Sequence, residues 1–215
     1  MSNWQGGIRV NAFASGGLIP QSQRGTVNSG LMVAADWYST FCALAGVDPT
    51  DERAAVAGLP PIDSLNMWPL LSGATTVSPR VEIVVGSDSS ECGFGNGTMV
   101  QALIRADGYK LIIGSLGQNI WTGPYYPNAT TKWNDTAYNC GIPPNNGTGC
   151  LFNILSDPTE HVDLASTSPD IVAAMFARIN EYQATAFSPN RGTDDGSACR
   201  ASRETWGGFW GPFTV

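Results

Sequence analysis

Leu151-Phe152-Asn153-Ile154-Leu155-Ser156-Asp157-Pro158-Thr159-Glu160-His161-Val162-Asp163-Leu164 reads as a short apolar strand, an Asp-Pro turn, an acidic stretch and a leucine that returns to the core. Asp157 can accept from backbone amides two residues on, and Pro158 fixes its own φ, so the turn is specified chemically. Upstream, Met99 to Ala106 and Tyr109 to Ile113 flank Asp107-Gly108, a two-residue hairpin signal. Arg80 to Ser87 is a further β run carrying Val81, Ile83, Val84 and Val85. Downstream, Ser168 as N-cap, Pro169 at the first helical position and Asp170 in the first turn precede Ile171, Met175, Ile179 and Tyr182 on one helical face. An antiparallel meander followed by a covering helix predicts an α+β arrangement.

Ile8 to Ala14 reads as a buried strand entered from a glycine pair. Leu31 to Ala45 reads as a helix, with Val33, Trp37, Phe41 and Leu44 or Ala45 at three-to-four spacing and Gly46 at its C-terminal stop. Trp68 to Gly73 is a short helical turn. Residues 114–149 are rich in Gly, Asn, Thr and Pro, yet carry Trp121, Tyr125, Tyr126, Trp133 and Tyr138. Those rings predict an ordered excursion packed on the sheet; their other use is to stack on sugars.

Charged residues are 13% of the chain, against about 25% in ordinary soluble domains. The net charge of -7 repels a polyanion and argues against nucleic-acid binding. No apolar run approaches the roughly 18 residues that span a bilayer. Met1 to Gly7 has neither a basic nor an apolar region, so it is not a signal peptide. Glycosylation sequons nonetheless begin at Asn96, Asn128, Asn134 and Asn146, and five cysteines point to an oxidising compartment. A secretory body without a secretory start predicts a missing N-terminal part.

Single candidate groups read plainly. His161 is the sole histidine and sits in a turn, where a solvated residue is expected rather than a catalytic base or metal ligand. Gly93-Phe94-Gly95-Asn96-Gly97 lacks the Lys-Ser/Thr of a phosphate loop, and Asp194-Asp195-Gly196 lacks the alternating carboxylates of a calcium loop. Cys140 and Cys150 could close a short loop; alternatively Cys92 pairs with one of them. Cys42, on the apolar helix face, reads as a reduced core residue.

Seven segments in order resemble the sulfatase family. Trp4-Gln5-Gly6-Gly7-Ile8-Arg9 is similar to its Trp/Tyr-Glu-Gly-Gly-Val/Ile-Arg, with Gln5 for the usual glutamate. Ala35-Asp36-Trp37-Tyr38-Ser39-Thr40 with Leu44-Ala45-Gly46 resembles a family helix, and Asp63-Ser64-Leu65-Asn66-Met67-Trp68 a family turn in which Ser64 replaces a glycine. Ser78-Pro79-Arg80 precedes an edge strand as it does there. Ala102 to Ile112 resembles the arginine hairpin, and Leu151 to Leu164 the strand-and-turn signature with Asp-Pro-x-Glu. The ending Trp206 to Pro212 is similar to that of arylsulfatase B-type members.

The resemblance implies the C-terminal part of an alkaline-phosphatase-like α/β sulfatase fold. Residues 1–78 would be a remnant of the large domain, and 79–215 an antiparallel subdomain with the closing helix and tail. The family's chemistry uses formylglycine, made from the cysteine of Cys-x-Pro-x-Arg, beside a calcium ion. None of Cys42, Cys92, Cys140, Cys150 or Cys199 begins that motif. The family's active-site lysine, counted back from Trp4, would fall just before Met1.

The resemblance therefore implies no catalytic or metal residue in this chain, calcium and formylglycine in the parent only, and the parent's N-terminal catalytic domain as partner. Sulfated glycan is the implied substrate, and a secreted or lysosomal-type location is implied for the parent. Cys199 matches a family cysteine that bridges to the N-terminal domain and is expected to lack its partner. A free-standing secreted glycoprotein module that binds through residues 114–149 is the alternative expectation.

Overall fold

The computed structural model describes residues 3–88, 98–114, 116, 139–143, 147–186, 196–209 and 211. Four strands, β1 (Glu82–Asp88), β2 (Thr98–Arg105), β3 (Tyr109–Ile112) and β4 (Cys150–Asn153), form one sheet in the order β1-β2-β3-β4. Every neighbouring pair is antiparallel. The expected α+β arrangement is the one observed.

The β2–β3 hairpin turns at Asp107-Gly108. Gly108 lies at φ 91°, and a Cβ there would come within 2.6 Å of the Leu155 side chain, so no other residue fits without displacement. The β1–β2 register slips between Val85 and Gly86: Val85 faces Ala102 while Gly86 faces Val100, leaving Gln101 as an extra residue. Such a bulge re-aims one side chain. Here Gln101 meets Asn3.

Among the described residues six α-helices accompany the sheet, α1 (Gln5–Ile8), α2 (Asp36–Ala45), α3 (Glu52–Val56), α4 (Trp68–Leu71), α5 (Pro169–Thr185) and α6 (Ser197–Glu204), with one 3-10 turn at Gln21–Gln23. On one sheet face, Val172, Met175 and Ile179 of α5 pack against Val100, Leu103, Leu111 and Leu151. Fully burying each such side chain contributes about 1.5–3 kcal/mol. On the other face Trp4, Leu116 and Cys140 cover Ala102, Ile112, Cys150 and Phe152.

Three expectations need correction. Ile8 to Ala14 is not a strand: Ile8 ends α1 and residues 9–15 are irregular. A β segment needs a hydrogen-bonding neighbour, and no described strand lies beside this one. The helix expected from Leu31 begins at Asp36, because the Asp36 carboxylate accepts from the Val33 amide and holds the preceding residues in a turn. Ser168 stands at the N-cap of α5, but its side chain makes no capping bond.

Candidate functional site

Lys110 lies in the middle of an apolar strand, on the same side as Ile112, and is completely buried. Its Nζ donates to the Asn3 carbonyl and to Glu160 Oε1, each at 2.5 Å. The other carboxylate oxygen, Glu160 Oε2, accepts from the Gln5 amide at 2.6 Å. Asn3 Nδ2 in turn donates to Gln101 Oε1. Trp4, between these two anchored residues, sets its ring edge-on to Phe152 at 5.7 Å between centroids.

The Asp-Pro turn explains how Glu160 reaches this position. Asp157 Oδ2 accepts from the amides of His161 (2.7 Å) and Val162 (2.8 Å). The Asp157 carbonyl accepts from the Glu160 amide at 3.1 Å. Glu160 is thereby held at φ 58°, turned inward, while His161 faces solvent. A little burial pushes the Asp157 carboxyl up, but the two amides and Thr159 outweigh it and hold it below the usual range. Burial pulls the Lys110 ammonium below its usual value, and the Glu160 charge only partly opposes that. Charges buried this deeply are weak stabilisers, because desolvation removes several kcal/mol per ion.

A second buried centre surrounds Asp36. Its Oδ1 accepts from the Leu65 amide and its Oδ2 from the Val33 amide, both at 2.9 Å. Arg80 completes both oxygens, with Nε 2.7 Å from Oδ2 and Nη2 on Oδ1. Arg80 Nη2 also donates to the Asp63 carbonyl at 2.6 Å. Ser64 accepts the Ser39 amide on its hydroxyl at 2.9 Å, a contact glycine could not make. Thr40 Oγ1 donates to the Asp36 carbonyl at 2.7 Å and accepts from the Met67 amide at 2.9 Å.

Half-buried on α5, Arg178 donates to Glu82 Oε1 from Nε (2.9 Å) and Nη2 (2.7 Å), and Tyr182 donates its hydroxyl to the same oxygen at 2.6 Å. These three centres join distant parts of the chain, and the carboxylates of all three are already engaged. Among the described residues no group of three or more His, Cys, Asp or Glu side chains could hold a metal ion.

Of the residues singled out by sequence, Cys140 and Cys150 are disulfide-bonded, which selects one of the two pairings left open. Cys199 is exposed and free on α6, and Cys42 is half-buried and free on α2. Cys42 is not in a core: α2 buries Asp36, Ser39 and Thr40 and leaves Phe41 and Leu44 outside. Asn96, Asn128, Asn134, Asn146 and Cys92 lie outside the described residues. So do the Gly93–Gly97 stretch, Asp194 and Asp195, and the rings of Trp121 to Tyr138. Sequence reasoning missed Lys110, Glu160, Asn3 and Gln101 as a unit. The available signal was a lysine at a core-facing strand position opposite an Asp-Pro-x-Glu turn.

No protein-family model matches the chain. Arylsulfatase J of Mus musculus is 31% identical over 223 residues, which take in 98% of this chain and 34% of that protein. The chain thus spans about a third of the length of this curated relative. A solved structure described as BT33336S-sulf, from glycosaminoglycan metabolism by Bacteroides thetaiotaomicron, superposes with a TM-score of 0.41 at 19% identity. That overlap covers 69% of this chain and 24% of the other.

Proposed function

We propose that the chain is the C-terminal region of a sulfatase-family protein, the scaffold portion of an arylsulfatase-type sulfuric ester hydrolase, without activity of its own. One observation carries this reading. Lys110, Glu160 and Gln101 clamp Asn3 to Gln5 onto the antiparallel sheet, and the family resemblance puts catalytic residues immediately upstream of that segment. The parent would hydrolyse sulfate esters of glycans. The tail Trp206 to Pro212 supports the finer arylsulfatase B-type placement.

Among the described residues no group fits calcium, and no cysteine of the chain fits the formylglycine precursor. The buried carboxylates of Asp36 and Glu160 are saturated by Arg80, Lys110 and backbone amides. No cysteine begins a Cys-x-Pro-x-Arg motif. The proposed two-part division, 1–78 and 79–215, assigns both groups to the preceding part of the parent. Its partner surface would include the exposed Val10, Phe13, Phe41 and Leu44. The Cys140–Cys150 disulfide supports a secreted or lysosomal-type parent; no helix among the described residues is long and apolar enough to cross a membrane.

An aryl sulfate assay in calcium buffer tests the proposal. The chain alone is expected to release no more aryl alcohol than buffer, whereas the chain joined to a sulfatase N-terminal part turns the substrate over. Turnover by the isolated chain would overturn the assignment.

A further inference from the structure

The Lys110 centre differs from a simple ion pair in three respects. Both its ends land on main chain: Lys110 Nζ on the Asn3 carbonyl and Glu160 Oε2 on the Gln5 amide. Recognition of a carbonyl at one residue and an amide two residues on specifies the path of a segment rather than its side chains. Gln101, re-aimed by the β2 bulge, takes the Asn3 side chain as a third point.

Glu160 is also the one non-glycine residue with positive φ among the described residues, at 58°. A backbone of that kind persists only where its surroundings over-determine it. Finally, the pair is almost entirely out of water, with side-chain exposures of 0% and 2%. Well-packed apolar residues of similar volume would serve folding as well as such a pair does. Folding stability alone therefore gives no reason for a desolvated pair aimed at backbone.

We propose that Lys110, Glu160 and Gln101 form a main-chain clamp that fixes the path of the polypeptide through Asn3 to Gln5, and that Glu160 is thereby a positioning residue for the parent's active site. The second half rests on the sulfatase reading; the clamp itself does not. Glu160 touches no substrate in this scheme. It acts through the Gln5 amide, and so on the chain that leads into Asn3.

The double variant Lys110→Met with Glu160→Met separates clamping from folding, because both charges leave together and apolar groups of similar length replace them. In this chain it is expected to keep a cooperative urea transition, while amide exchange at Gln5 becomes about 10-fold faster or more. In the full-length parent the same change is expected to lower kcat about 10- to 100-fold with KM within about 2-fold of wild type. Met175→Ala, a core change in α5, serves as the control and leaves kcat per folded molecule unaltered.

A Gln5 amide that stays protected in the double variant overturns the clamp. Loss of the cooperative transition does the same, since the pair would then be a folding element. A released Gln5 amide with unchanged kcat overturns the positioning role alone. A wild-type parent with no sulfatase activity rejects the sulfatase reading and the positioning role with it, and the exchange result still decides the clamp.

Discussion

Asp36 has no exposed surface, yet each of its carboxylate oxygens receives two donors: the Leu65 amide and Arg80 on one, the Val33 amide and Arg80 on the other. Removing the carboxylate in Asp36→Ala leaves the Arg80 guanidinium buried with only the Asp63 carbonyl. A loss of about 3–5 kcal/mol is expected from urea unfolding, as for other buried pairs broken on one side; a change below about 1 kcal/mol would mean that water replaces the partner. The same residue sets the acid response. Burial pushes the Asp36 carboxyl up, but Arg80 and the two amides outweigh it and leave it below its ordinary value. Glu82 is likewise held below its ordinary value, where Arg178 and Tyr182 outweigh burial. For a depressed folded-state pKa the unfolded chain binds more protons in the interval between the two values. Stability from these groups is thus complete above about pH 5 and lost as pH falls through the lowered values. Melting temperature measured from pH 7 to pH 2 should fall chiefly below pH 4, and a flat profile there would contradict the geometry.

At the scale of elements, α2 is inverted. It buries Asp36, Ser39 and Thr40 and turns outward Phe41 at 59% exposure and Leu44 at 39%. Trp37 stacks on Phe41 at 5.5 Å along the same outer face. An apolar stripe in the sequence implies burial, but only a neighbour can supply it. The chain alone is expected to self-associate through this face, so Trp37→Ser with Phe41→Ser should raise the monomeric fraction in sedimentation; a wild-type chain that is already monomeric, or association unchanged in the variant, would acquit this face. The β4 end is fastened differently, by the Cys140–Cys150 bond with Cα atoms 5.0 Å apart. Cys140→Ser with Cys150→Ser is expected to reduce stability by about 2–3 kcal/mol in the chain-entropy account. Equal unfolding midpoints for oxidised and reduced wild-type protein would refute that.

Across the whole molecule, local chemistry made β1 to β4 and α5 legible. Asp107-Gly108 can close only a tight hairpin, alternating Leu103, Leu111 and Leu151 define one sheet face, and Pro169 with the Met175 and Ile179 spacing defines a helix. The resemblance to sulfatases was legible as well, because short motifs keep their order along the chain. Ile8 to Ala14 misled, since a strand pattern specifies only which faces are apolar and cannot create a pairing partner. The clamp was also illegible: Lys110 and Glu160 are fifty positions apart, and Glu160 and Gln5 more than a hundred and fifty. The sequence by itself determined the antiparallel sheet, its covering helix and the family resemblance, because turns, period and motif order are local properties. Only the tertiary structure decided what the Leu151–Leu164 signature is for. Its turn aims one glutamate at a backbone amide that no local rule connects to it, and that meeting exists only once both ends lie on the same sheet.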